Sequence, residues 1–159
     1  MAIEPSHLRE YVIVPTLTKL GLYSESAVEL LMGTAAQESH LGRYLHQING
    51  PAIGIYQMEP ATYRDIYANF LRYKDRLREK VDALRAAVGT IDPSEREMHG
   101  NLYLATAMAR IHYLRVPTPL PSAGDLWGLA HYWRKHYNTY LGKGTEEEFV
   151  QNYNRYCKG

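Results

Sequence analysis

Glu38 is the residue of this chain best placed to do chemistry. Ala27, Leu30, Leu31, Thr34 and Ala35 follow the i, i+3, i+4, i+7, i+8 spacing of a helix face turned toward a core. The next member of that series is Glu38, so a carboxylate continues the apolar stripe. An acid there is costly if charged and unpaired. It is paired, protonated or catalytic, unless the helix frays and lets it slip out to solvent. A carboxyl held against apolar surface keeps its proton near neutral pH and can donate it. That is the first requirement for cleaving a glycosidic bond.

The second informative stretch is Gly54-Ile55-Tyr56-Gln57-Met58-Glu59-Pro60. It reads as a tight backbone segment carrying one amide, then a helix opened by proline. Gln57 offers both a donor and an acceptor to a sugar amide or hydroxyl, or to its own loop. Two other acids, Glu59 and Asp65, are candidates for the second carboxylate that ordinary glycosidases need. Each also suits the first turn of a helix for structural reasons alone. The 14 tyrosines and two tryptophans supply aromatic faces on which sugars stack, but most of them sit at helical core spacing.

The elements that must position these residues are almost all helical. Residues 7–20 form an apolar segment ended by Gly21 and kinked at Pro15. Ser24 or Ser26 caps a helix reaching about residue 39. Residues 40–59, punctuated by Gly42, Gly50, Pro51 and Gly54, read as loop with a short extended hairpin. Pro60 opens a helix with Tyr63, Ile66, Tyr67, Phe70 and Leu71 on its apolar face. Leu77, Val81, Leu84 and Val88 form another face, closed by Gly89. Asp92-Pro93-Ser94-Glu95 is a helix start, and the helix over roughly 93–115 is apolar on two sides, the candidate central buried element. Residues 116–121 are a stiff proline-rich connector. A helix over about 123–137 follows, and Thr145-Glu146-Glu147-Glu148 caps a last short one.

Composition narrows the function classes. A chain of 159 residues, 45% apolar and 22% charged, suits one self-sufficient domain. A net charge of +1 with no basic stripe argues against a nucleic-acid binder. Residues 72–80, the most basic run, alternate with acids and read as a solvated helix face. The single cysteine, Cys157, excludes an internal disulfide and reads as an unimportant thiol near a fraying end. The first residues lack the pattern of a signal peptide, and no apolar run is long enough to span a bilayer. Among the seven histidines, His131 and His136 are five apart instead of four, and His40 and His46 flank a loop, so no metal site is expected. No cofactor is implied, and no serine or cysteine nucleophile motif is present.

Glu38-Ser39, followed by Gly54-Ile55-Tyr56-Gln57-Met58-Glu59-Pro60-Ala61-Thr62, resembles the soluble lytic transglycosylase family and the related goose-type lysozymes. The Asn101-Leu102 helix resembles that family's following buried helix, and the likeness covers roughly residues 25–140. The resemblance implies a mainly α, lysozyme-like single domain with a small loop or hairpin region at 40–59. It implies Glu38 as the catalytic acid, Ser39 as an orienting residue, and Gln57 lining a sugar cleft with Tyr56 and Met58 beside it. The family's third motif, alanine-x-tyrosine-asparagine, is met by Ala130-His131-Tyr132, but Trp133 stands where asparagine is expected. Tyr132 is the favoured third-site residue, with Tyr137 of Tyr137-Asn138 in reserve. The implied substrate is the MurNAc–GlcNAc β-1,4 bond of peptidoglycan. Glu38 would protonate the leaving oxygen and then deprotonate either the muramyl C6 hydroxyl, giving a 1,6-anhydro product, or water, giving hydrolysis. The size and the missing export signal resemble bacteriophage-encoded members. These are made in the host cytoplasm and act at the cell wall, free or in a virion, with other particle or lysis proteins as possible partners. The competing expectation is a non-catalytic virion or assembly protein that keeps the fold.

Overall fold

Side chains cap the helices that begin at residues 25, 102, 126 and 146, whereas the helix that begins at Pro60 has no side-chain cap. The computed structural model describes residues 2–86, 94–138 and 142–158 and is mainly helical. Helix α1 (Pro5–Leu8), a π-helical turn (Arg9–Ile13) and α2 (Val14–Leu20) follow without a break. Pro15 has no N–H to donate to the Tyr11 carbonyl one turn back. The wider π turn lies at that point, and the Tyr103 hydroxyl donates to the Tyr11 carbonyl at 3.3 Å. The irregularity expected at Pro15 therefore takes the form of a π turn.

Ser24 caps α3 (Glu25–Ser39), its side chain accepting from the Ala27 amide at 3.1 Å. The helix ends where His40 and Leu41 both turn left-handed, with Leu41 N–H bonding back to the Ala35 carbonyl at 3.0 Å. Residues 45–58 then form a small antiparallel meander, paired at His46 with Ile53 and at Ile53 with Met58. Pro60 opens α4 (Pro60–Asn69), and a 3-10 turn (Leu71–Tyr73) leads into α5 (Asp75–Ala86). Val88, Gly89, Asp92 and Pro93 lie outside the described residues.

The expected single helix over 93–115 is two elements. A 3-10 helix (Glu95–His99) is capped by Ser94, and α6 (Leu102–Leu114) starts afresh after Gly100. The break is made by Asn101. Its side-chain oxygen caps the Leu104 amide at 3.0 Å, while its amide nitrogen donates to Glu97 and to the Leu84 carbonyl. As expected, α6 is the central element. It buries Leu104, Ala105, Ala107, Met108, Ala109 and Ile111 and touches α2, α3, α4 and α5.

Helix α7 (Leu126–His136) starts three residues later than the sequence pattern suggests, because Asp125 is its cap, accepting from the Gly128 amide. Trp127, in the first turn of α7, is 54% exposed. Thr145 caps α8 (Glu146–Cys157), which lies along α3 and against α7. A Cβ on Gly33 of α3 would meet the Phe149 ring at 2.3 Å, so the ring rests directly on the α3 backbone. Cys157 belongs to this packing and not to a frayed end. Its thiol donates to the Met32 carbonyl, and burial pushes its pKa up to about 12. No helix among the described residues is long and apolar enough to cross a membrane.

Candidate active site

The C-terminal end of α3, the turn at 54–57 and the end of α7 converge on one cleft of about 570 Å³. Glu38 lines it, together with Gln57, Met58, Glu59, His112, Lys135, His136 and Tyr137. Glu38 reaches this position because the core stripe of α3 carries it inward, where it is half-buried. Burial raises its pKa from 4.5 to about 7, against a smaller lowering by the Trp133 hydrogen bond. The Trp133 indole Nε1–H donates to Glu38 Oε2 at 3.0 Å. An indole nitrogen only donates, so Oε2 is an acceptor here and Oε1 is left without a protein partner among the described residues.

Trp133 is itself fixed. It is 1% exposed, its ring lies 5.4 Å from that of Phe149, and a Cβ on Gly144 would meet it at 2.6 Å. Four residues on, Tyr137 faces the same way. Its hydroxyl donates to the Tyr56 carbonyl at 2.6 Å, and its ring stacks on Tyr113 at 5.2 Å. Burial raises the Tyr137 pKa well above its ordinary value, so it remains a neutral phenol.

The opposite wall is made by the turn. Gly54 has φ +82°, and a Cβ there would stand 2.7 Å from the Met98 carbonyl oxygen, so only glycine fits. Gln57 is also left-handed, with φ +49°. Its backbone N–H and its side-chain Nε2 both donate to the Gly54 carbonyl, at 3.0 and 2.8 Å. The amide therefore braces its own turn while its residue lines the cleft.

The structure brings together Glu38, Gln57 and Met58 and, in place of the favoured Tyr132, the reserve residue Tyr137. Three other expected residues do not line the cleft. Ser39 is fully buried. Its hydroxyl donates to the Ile55 carbonyl at 2.6 Å and accepts from the Gly42 amide at 2.9 Å, tying α3 to the turn. Tyr56 is buried with its hydroxyl bonded to Thr106. Tyr132 points away, donating to the Thr118 carbonyl at 2.8 Å, because it lies about 100° round α7 from the face shared by Trp133 and Tyr137. Among the candidate second carboxylates, Glu59 lines the cleft, whereas Asp65 does not and is bound to Arg115 at 2.6 Å.

Sequence reasoning missed Trp133 and His112. The indole was visible only as a departure from an expected asparagine, and His112 was one histidine among seven. Among the described residues, no group of three or more His, Cys, Asp or Glu side chains could hold a metal ion. The arrangement can deliver a proton and hold neutral polar groups by hydrogen bonds. Comparison of the chain with protein-family models, curated proteins and solved structures finds no match.

Proposed function

We propose that the protein cleaves the β-1,4 glycosidic bond of peptidoglycan glycan strands, with Glu38 as general acid and then general base. The observation that carries this reading is the Glu38 carboxyl, lining an open cleft with a pKa near 7 and one oxygen held by Trp133. Such a group is part-protonated at neutral pH and can both give and take a proton. In the forward step the proton passes to the glycosidic oxygen and the C1–O bond breaks. The departing sugar leaves with that proton, and the acetamido oxygen of the remaining sugar closes on C1. Glu38, now a carboxylate, takes a proton from the C6 hydroxyl as that oxygen bonds to C1 and the bond from C1 to the acetamido oxygen breaks, restoring the acetamide and giving the 1,6-anhydro end. With water in place of the C6 hydroxyl the same site is a muramidase. The choice of peptidoglycan rests on the resemblance of Glu38-Ser39 and the Gly54–Thr62 segment to lytic transglycosylases and goose-type lysozymes, as does a bacteriophage origin.

The test is mass spectrometry of soluble products from purified cell walls. Wild-type protein is expected to release anhydromuropeptides, or reducing muramic ends if water attacks. Glu38→Gln, folded by circular dichroism, is expected to lose at least about a thousandfold in rate, the scale of one general acid plus its orientation. No soluble product from the wild type overturns the proposal and leaves a non-catalytic role for the fold.

A further inference from the structure

His112 belongs to none of the roles above, yet its imidazole has a hydrogen-bond arrangement that leaves little freedom. Asp65 Oδ2 accepts from Arg115 Nη1 at 2.6 Å, and Arg115 Nη2 faces His112 Nδ1 at 2.9 Å. A guanidinium has donors only, so Nδ1 must present its lone pair. The ring proton is then on Nε2. That nitrogen has no partner among the described residues, is not sealed off by them, and belongs to a residue lining the cleft. The ring is also held edge-on to Tyr137, with centroids 5.1 Å apart.

We infer that His112 is a fixed, uncharged hydrogen-bond donor of the cleft, its Nε2–H serving an acetamido carbonyl oxygen of a bound N-acetylated sugar, with Arg115 and Asp65 as its positioning residues. The inference rests on the glycan reading of the cleft and goes beyond it by assigning a specificity contact. A second proton on the ring would have to go to Nδ1, against the guanidinium. Burial first, and Arg115 second, push the His112 pKa down to about 4. The other titratable or charged groups beside it or lining the same cleft are Tyr113 of its own helix, Asp65 of α4, Glu38 of α3, Glu59, Lys135 and His136 of α7, and Tyr137 just beyond α7. A donor that stays neutral from pH 5 upward suits a neutral acceptor, and the strongest one on an amino sugar is the acetamido oxygen. A metal is not its partner, since ligation at Nε2 would need the lone pair that this tautomer lacks.

Two measurements test this. Long-range 1H–15N NMR of the 15N-labelled protein at pH 6 is expected to show His112 neutral and protonated at Nε2. In Arg115→Met it is expected to show a mixture of tautomers and a pKa moved up toward 6.5. A charged ring or an Nδ1–H tautomer in the wild type overturns the inference. The second measurement is calorimetric binding of tri-N-acetylchitotriose and of its fully deacetylated counterpart to the Glu38→Gln protein, which prevents turnover. The acetylated trimer is expected to bind about tenfold more tightly, the scale of one hydrogen bond in a cleft. Adding His112→Ala is expected to abolish that preference, and adding His112→Gln, which restores an N–H donor, to recover part of it. If the trimers bind and the preference survives both substitutions, the His112 assignment is wrong while the glycan reading stands. If neither trimer binds the Glu38→Gln protein with His112 intact, the glycan reading falls and takes the assignment with it.

Discussion

At the scale of single residues, the site is governed by competition between burial and one hydrogen bond on Glu38. Burial favours the neutral acid, and the Trp133 indole favours the carboxylate. Trp133→Phe keeps the aromatic packing on Phe149 but removes the N–H. The Glu38 pKa is then expected to rise above its present value near 7. The alkaline limb of the pH–activity profile should move up with it, while activity at pH 6 falls about tenfold from lost orientation. The shift can be read without substrate. In the wild type, the Trp133 indole N–H resonance should titrate with Glu38, and Glu38→Gln should abolish that titration. Stability follows from the same pKa. The folded protein holds the Glu38 proton more tightly than the unfolded chain, whose pKa is near 4.5. The Glu38 contribution to stability therefore drops as pH rises from about 4.5 through about 7, because the raised pKa is a penalty on the charged form. Glu38→Gln removes that penalty. It is expected to be more stable than wild type by up to about 3 kcal/mol at pH 8, and equal to it at pH 4. Urea unfolding at the two pH values checks the sign; equal differences at both would mean the carboxyl is not held in apolar surroundings.

At the scale of elements, the cleft depends on how α3 is joined to the turn at 54–57. Ser39 clamps the Ile55 carbonyl, and the turn lies against the 3-10 helix at Met98. Gly54→Ala would place a methyl against the Met98 carbonyl oxygen and force a left-handed alanine. It is expected to cost about 2–3 kcal/mol, combining backbone strain and displacement. It should also move Gln57 out of the cleft wall. A thermal melt and the binding of tri-N-acetylchitotriose check the two parts, and unchanged binding would show that the turn does not shape the cleft. The sequence made this element legible in outline, since Gly54, Gln57 and Pro60 read as turn, amide and helix start. The way Ser39 ties the end of α3 to the turn was not legible, because two of its backbone partners, Ile55 and Gly42, lie in a loop whose path no periodicity reveals. The break at Asn101 was hidden for a different reason. Ser94-Glu95 is a good cap, and the apolar spacing on either side of Gly100 is in phase, so the local stop and cap at Gly100-Asn101 was outweighed.

At the scale of the whole molecule, the site is assembled from residues far apart in sequence, and this is where sequence reading reached its limit. Glu38 was legible because it continues a stripe within one helix. Trp133, Tyr137 and His112 acquire their roles only once α6 and α7 are set beside α3. The choice between Tyr132 and Tyr137 required knowing which face of α7 meets α3. The 3.6-residue period gives spacing along that helix but not its rotation against a neighbour. The rotation is fixed from behind by α8. Phe149 sits on the α3 backbone at Gly33 and packs against Trp133, so one ring sets the distance between the helix that carries the acid and the helix that carries the indole. Phe149→Ala empties a fully buried site and is expected to destabilise the fold by about 3–5 kcal/mol. Phe149→Leu keeps most of the volume and is expected to cost less than half of that. The stronger expectation concerns coupling. With α8 loosened, the indole loses its backing, its hydrogen bond to Glu38 weakens, and the Glu38 pKa should rise in Phe149→Leu as it does in Trp133→Phe. Combining the two substitutions should then add little to the pKa rise seen with Trp133→Phe alone. Following Glu38 by carboxyl-carbon NMR in the single and double variants decides the matter. Fully additive shifts would show that Phe149 reaches the acid by a route that does not pass through the indole.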